Sequence, residues 1–245
     1  MTRPRLGAAV AITVLLLAGC SPLGPSESGY SDPYESTNRA WFDNNLALAQ
    51  AITPGDAEDE AEAPAQPGPV RRMVSNFGAN LGLPSVILND LLQIRPDRAA
   101  ENTVRLVINT TVGLGGLFDP ATRAGVYGRR TDFGETMYRW GAAEGPYMVL
   151  PVIGPTTQRD AFGRIVDIAI NPLRYALAPD EAAYATAARL AGRVAEAGEY
   201  SELLDANVIN TADPYAQARL LYLQTRRYHL GSDAEEDFID PYADF

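Results

Sequence analysis

The sequence predicts an all-α fold. Asp-Pro pairs at Asp32-Pro33, Asp119-Pro120 and Asp213-Pro214 read as helix starts. An Asp side chain accepts from an orphan N–H at the helix N-terminus, and proline suits the first helical position. Between these starts apolar residues recur at helical spacing, as in Val70, Val74, Phe77 and Leu81. No period-2 alternation runs long enough for a sizeable sheet.

The elements follow in order. Asp32-Pro33-Tyr34-Glu35 opens the first helix, with Asp as N-cap and Glu at N3, and Trp41, Phe42, Leu46 and Leu48 form its apolar side. The Val70–Leu81 helix is expected to close at Gly82. Ser85 then caps a short helix over 86–93, and Asp97 caps the one after it. That later helix carries Val104, Val107, Ile108 and Val112 on one side and stops in Gly113-Leu114-Gly115-Gly116. Glycines and prolines break any helix between Gly141 and Pro155, where Tyr147–Val152 reads as a short strand or extended wall. Residues 156–170 return to helix and end before Asn171-Pro172, because proline disfavours αR in the residue ahead of it. Glu181–Leu204 is a long Ala-rich helix with Gly192 and Gly198 as weak points, and Asp213-Pro214-Tyr215 opens the last helix. Three Asp-Pro-Tyr triplets do not make a repeat, since the segments around them match at no period.

The only cysteine, Cys20, closes the run Leu17-Ala18-Gly19-Cys20. Arg3 and Arg5 precede an uncharged stretch from Leu6 to Ala18, which is the layout of a bacterial secretion signal. Ending on Cys makes it a lipobox, so residues 1–19 are expected to be removed and Cys20 to carry acyl chains. The apolar run is short against the roughly 20 residues a span needs. Residues 20–31, rich in Ser, Gly and Pro, read as a flexible tether. Residues 53–69 hold five acids, four prolines and no large apolar side chain, and read as a mobile acidic loop. Residues 32–230 would then form the helical domain and 231–245 an acidic tail.

Charge excludes some functions. The whole chain carries a net −11, and loss of Arg3 and Arg5 makes the mature chain more negative by two. Nucleic-acid binding needs cations to neutralise phosphates, so none is expected. Attachment to anionic lipid through a polybasic stretch is excluded on the same ground. No metal site is expected, since the single histidine, His229, has no His or Cys to pair with; at a helix C-terminus it complements the dipole. No G-x-S-x-G is present, and Gly113–Gly116 lacks a third glycine at dinucleotide-binding spacing. No catalytic residue and no cofactor is assigned. Trp41, Phe42, Tyr138, Trp140 and Tyr147 suit either a membrane interface or a core.

Several ordered segments together resemble the MlaA (VacJ) lipoproteins of Gram-negative bacteria. They are Asp32–Glu35 with Asn38, Arg39 and Phe42; Val74–Gln93; Arg105 with Asn109–Ala121; Asp132–Thr136; Trp140–Asp160; and Ala212–Gln224. The resemblance implies a non-enzymatic, ring-like set of helices lying in the periplasmic leaflet of the outer membrane around an amphipathic channel. Such proteins remove phospholipids mislaid in the outer leaflet and pass them to a periplasmic carrier protein, typically beside a trimeric porin. It implies phospholipid, porin and carrier as partners. Lipid-channel or hinge residues are then expected at Phe42, Asn44 and Asn45 and in the glycine-rich turn Gly113, Leu114, Gly115, Gly116, Leu117 and Phe118. Asp43-Asn44-Asn45 departs from the family's usual Phe-Asn run, and the acidic loop replaces an apolar segment. A porin-bound scaffold without lipid, and a lipoprotein hydrolase, are the rival readings.

Overall fold

The computed structural model describes residues 31–52, 68–197 and 211–231. Cys20, the tether up to residue 30, nearly all of the acidic segment, Gly198 and the tail from residue 232 lie outside them. The elements are α1 (Glu35–Ile52), α2 (Pro69–Leu92), α3 (Pro96–Thr111), α4 (Pro120–Arg123) and α5 (Phe133–Arg139). There follow a hairpin of β1 (Tyr147–Leu150) and β2 (Gly154–Thr157), then α6 (Gln158–Ile170), α7 (Leu173–Ala176), α8 (Pro179–Ala197) and α9 (Pro214–Gly231). The fold is helical with one small antiparallel sheet, in which Tyr147 faces Thr157 and Leu150 faces Gly154. Among the described residues no helix is long and apolar enough to cross a membrane.

Some boundaries differ from the sequence reading. α2 runs unbroken through Gly82 and Pro84, and Ser85 does not cap but bonds Asp167 on α6. The cap position of α3 is Arg95, with Asp97 inside the first turn. α1 begins at Glu35, and Asp32 turns its carboxylate elsewhere, as described below. Thr156 and Thr157 belong to strand β2 rather than to the helix expected from residue 156. Asp119 and Asp213 do cap as expected, accepting from the amides of Thr122 and Ala216.

α1 lies against both strands, and α9 against β2. Their meeting point holds the apolar cluster of Tyr147, Val149, Tyr215 and Leu223, with Phe42 and Tyr222 packed on it. Phe42 and Tyr147 each meet Tyr215 edge-on, with ring centroids 6.0 and 6.1 Å apart. Tyr147 is therefore core, whereas Trp41 and Trp140 are exposed. Elsewhere the buried residues are mostly polar. Asn89, Asp90, Asn102 and Thr136 are at most 1% exposed. Outward-facing positions include Val104, Val107 and Val112 along and just beyond α3, and Phe162, Ile165 and Ile168 on α6. Of the apolar side of α3 read from the sequence, Val104, Val107 and Val112 point outward and Ile108 is half-buried.

Helices that turn apolar side chains outward must meet by other means. α2 and α8 meet at Gly78 and Gly192, where a Cβ on Gly78 would stand 2.7 Å from the Gly192 Cα. Gly192 is thus a packing contact and not a weak point. α5 and α6 meet in the same way, with a Cβ on Gly163 falling 2.7 Å from the Gly134 Cα. Such backbone-to-backbone approach is how helices associate where burial of apolar side chains supplies no drive.

Gly192→Val is expected to cost at least about 1–3 kcal/mol through overpacking. Gly82→Ala, whose Cβ would meet nothing closer than Arg189 Nε at 3.9 Å, is expected to stabilise by about 0.5–1 kcal/mol through helix propensity. Denaturant titration of both purified variants in detergent checks the pair.

Candidate functional site

α1 is sewn to the outer edge of β1 by two asparagines seven residues apart, on one face of the helix. Asn38 Nδ2 donates to the Tyr147 carbonyl at 3.2 Å and Asn38 Oδ1 accepts from the Val149 amide at 2.9 Å. Asn45 Nδ2 donates to the Leu150 carbonyl at 2.9 Å and Asn45 Oδ1 accepts from the Val152 amide at 2.7 Å. Each carboxamide stands in for a neighbouring strand's peptide group. Val152 sits at φ +64°, a left-handed conformation that a β-branched residue rarely adopts. The bond to Asn45 fixes it there. Phe42 lies between the two asparagines and fills the tyrosine cluster, while Asn44 faces outward and is exposed.

The glycine-rich turn attaches to different partners. Leu114, Gly115 and Gly116 take positive φ in succession, at 53°, 76° and 99°. Asn80 on α2 donates to Thr110 Oγ1 and to the Gly115 carbonyl, and Asn76 donates to the Leu117 carbonyl. A Cβ on Gly116 would strike the Asn80 side chain at 2.5 Å, and one on Gly113 would strike the Asn109 and Phe118 carbonyls. Asn109 closes the turn by donating to Asp119 and accepting from the Ala121 amide. Arg105 donates to Thr122 Oγ1, to the carbonyls of Val126 and Tyr127, and to Asp119. The backbone here is held at many points, and Leu114, Leu117 and Phe118 project from it exposed. The structure therefore separates the expected residues into two groups, one on the hairpin and one on α2.

Sequence reasoning missed the polar residues that link these parts. On α9, Tyr215, Arg219, Tyr222 and Arg226 share one face by their spacing of four, three and four. Tyr215 Oη donates to Asp32 at 2.5 Å, and Arg219 pairs with the same carboxylate. Tyr222 Oη donates to Asp160 at 2.9 Å. Arg226 bonds Asp160 through Nε at 2.8 Å and Asp132 through Nη2 at 2.7 Å. Burial alone would raise the Asp160 carboxyl, but the bonds and charge of Arg226, with Arg159 and Tyr222, hold it below the usual carboxylate range. That heptad-like run of two tyrosines and two arginines was the available signal.

A second buried network runs from α6 through α2 to α5. Asp167 accepts from Ser85, Asn89 and the Phe133 amide. Thr136 donates to Asn89, and Gln93 donates to Thr131 and Thr136. Asp90 accepts from Asn102 at 2.7 Å, and its other oxygen is buried without a hydrogen-bond partner. Burial raises Asp90 to about 6, against the opposing hydrogen bond from Asn102. Among the described residues no three His, Cys, Asp or Glu side chains come together as metal ligands.

Asp160→Ala leaves Arg226 with Asp132 alone and takes from Arg159 its carboxylate in the interior, so a loss of about 3–5 kcal/mol is expected. Denaturation midpoints of the variant and of the parent chain measure it. The pH dependence at Asp90 has the opposite sign to that of a salt-bridged carboxylate. Its folded pKa lies above its unfolded one, so its contribution to stability is present at low pH and lost as pH rises through about 6. Asp90→Asn should melt higher than the parent chain at pH 8, and the advantage should disappear near about pH 4.

Comparison with known proteins agrees with this architecture. The MlaA lipoprotein profile matches residues 30–229. An Escherichia coli K12 protein described as the intermembrane phospholipid transport system lipoprotein MlaA is 32% identical over 223 residues, 88% of this chain and 85% of that protein. An uncharacterised Rickettsia prowazekii protein is 38% identical over 145 residues, and that match spans only 57% of its length. A chain from a structural study of how bacterial outer membrane lipid asymmetry is maintained superposes with a TM-score of 0.61 at 29% identity, covering 82% of this chain and 99% of that one. Profile, sequence and fold agree along the same stretch: the chain belongs to the MlaA lipoprotein family.

Proposed function

We propose that this chain is an outer-membrane lipoprotein that takes mislocalised phospholipid out of the outer leaflet and passes it toward a periplasmic lipid carrier. The observation that supports this reading best is the inverted distribution of polarity. The buried set is dominated by Asn, Asp, Thr and Arg, while valines, isoleucines and aromatics of α3, α6 and the glycine-rich turn face outward. In water each fully exposed Val, Leu or Ile forgoes about 1.5–3 kcal/mol of burial. Acyl chains remove that penalty, so a protein of this kind belongs in a leaflet. The E. coli relative's description as a phospholipid transport lipoprotein supports the same reading.

In this reading no bond is made or broken, and the protein is not an enzyme. Phospholipid moves because it partitions toward a downstream acceptor, through a path whose polar wall suits the headgroup and whose apolar side suits the tails. Leu114, Leu117 and Phe118 offer apolar surface on a turn pinned by hydrogen bonds, and Phe42, Asn44 and Asn45 shape the α1–hairpin side. A trimeric porin beside it and a soluble phospholipid carrier are the expected partners. Residues 1–19 serve as the signal, Cys20 carries the acyl chains, and the acidic segment 53–69 links α1 to α2.

Native mass spectrometry of the protein purified in detergent is expected to find phospholipid bound. A deletion strain is expected to accumulate phospholipid in its outer leaflet. Protein without lipid, together with a strain of normal asymmetry, would overturn the proposal in favour of a scaffold. Cys20→Ser is expected to be mislocalised during export and still to need detergent in solution, because the fold itself meets lipid. A variant that stays monodisperse in buffer alone would contradict that.

A further inference from the structure

The tip of the β1–β2 hairpin is apolar, exposed and strained. Pro151, Val152 and Ile153 all face outward, Val152 being 65% and Ile153 49% exposed. The Ile153 amide donates to the Pro151 carbonyl at 2.7 Å across Val152 at φ +64°, which is a γ-turn of the rare, strained hand. Turns of the Asn-Gly type close a hairpin without such strain and suit water. A β-branched residue held there against its preference points to a use for its side chain.

The backbone of the tip offers water no N–H group. Pro151 and Pro155 have none, Val152 donates to Asn45 at 2.7 Å and Ile153 to Pro151. The Tyr147 and Val149 amides point away from β2, to the Ser31 carbonyl and to Asn38. By the alternation of an antiparallel pair, Leu150 and Gly154, which face each other, then exchange their own bonds. Asn38 and Asn45 thus cover an edge that a two-stranded sheet would otherwise leave to solvent. Charge is missing too. Between Glu144 and Arg159 the only ionisable side chain is the buried Tyr147, and α1 carries no charge after Asp43. Leu48, three residues beyond Asn45, is 42% exposed. Hydrocarbon makes these two demands together, since it hydrogen-bonds no backbone group and rejects charge. Water or a partner chain satisfies turn amides itself and imposes neither.

We propose that the hairpin tip, Pro151 to Ile153, inserts among the acyl chains of the membrane leaflet, with Val152 and Ile153 as its lipid-contacting side chains. Asn45 acts as a positioning residue, because its carboxamide satisfies the turn that has to leave water. This deepens the leaflet reading above and rests on it. α1 is bonded to the same turn, so a tip fixed in the leaflet also fixes the depth of α1.

The Cys20→Ser chain has no other thiol, so it can carry a single nitroxide at Val152→Cys or at Ile153→Cys. Each labelled protein is reconstituted from detergent into vesicles of phosphatidylethanolamine and phosphatidylglycerol. Collision of the label with oxygen, relative to collision with a water-soluble nickel chelate, is expected to rise well above its value for the urea-unfolded chain. A ratio no higher than in urea places the tip in water and overturns the proposal. Labels that neither reagent reaches overturn it as well, since the tip would then be covered by protein. A chain that floats with the vesicles and shows either result leaves the leaflet reading standing, whereas a chain that does not float overturns that reading. A second measurement uses Val152→Asn, because asparagine tolerates positive φ and the variant is expected to fold. Its partition into the same vesicles, read by flotation, is expected to fall at least about tenfold. Unchanged partition of the folded variant overturns the proposal.

Discussion

One face of α9 joins parts of the chain that the sequence keeps far apart. Arg219 reaches back 187 residues to Asp32, and Arg226 joins Asp160 on α6 to Asp132 at the start of α5. These pairs are shielded from water, so their strength depends on completeness. A buried pair gains little over well-packed apolar residues, but half a pair is strongly destabilising. The same stripe places Tyr215 against Phe42 and Tyr147, which brings α1 and the hairpin under α9. Geometry, more than net energy, is what the network supplies: only one placement of α9 satisfies Asp32, Asp160 and Asp132 together.

That dependence follows from where the apolar residues went. A helix whose valines and isoleucines face outward has no apolar stripe to bury against its neighbour. Cohesion must come from hydrogen bonds and from backbones brought close. Both are present. Asn38, Asn45, Asn80, Asn89, Asn102 and Asn109 each bridge separate segments or lock a turn, and the Gly78–Gly192 and Gly134–Gly163 contacts let helices touch without side chains between them.

Much of the local structure was legible from residues alone. The Asp119 and Asp213 caps, the stop before Asn171-Pro172 and the short strand from Tyr147 all rest on chemistry within a few residues, which a sequence displays directly. The errors have a common cause. Gly82, Pro84 and Ser85 look like a helix end, yet tertiary contacts carry α2 across them, with Ser85 drawn to Asp167. Asp32 looks like a cap and is recruited by Arg219, far along the chain. Gly192 looks like a flaw in a helix because its partner, Gly78, is over a hundred residues away. Of the expected site residues, the glycine-rich turn was visible as a cluster and Phe42 as an aromatic. The strapping of α1 by Asn38 and Asn45 was not, because an asparagine's partners here are backbone atoms of a strand that leaves almost no pattern.

The outward apolar face and the polar interior are two sides of one requirement. In a leaflet, apolar side chains gain nothing by leaving the acyl chains for the protein interior, so the hydrophobic effect ceases to drive helices together. A fold suited to that setting turns polar groups inward, where each must find a partner. Most do so within the chain, as Asp32, Asp160 and Asp167 show. Where the partners run out, as at the Asp90 oxygen buried without one, burial raises the carboxyl to about 6.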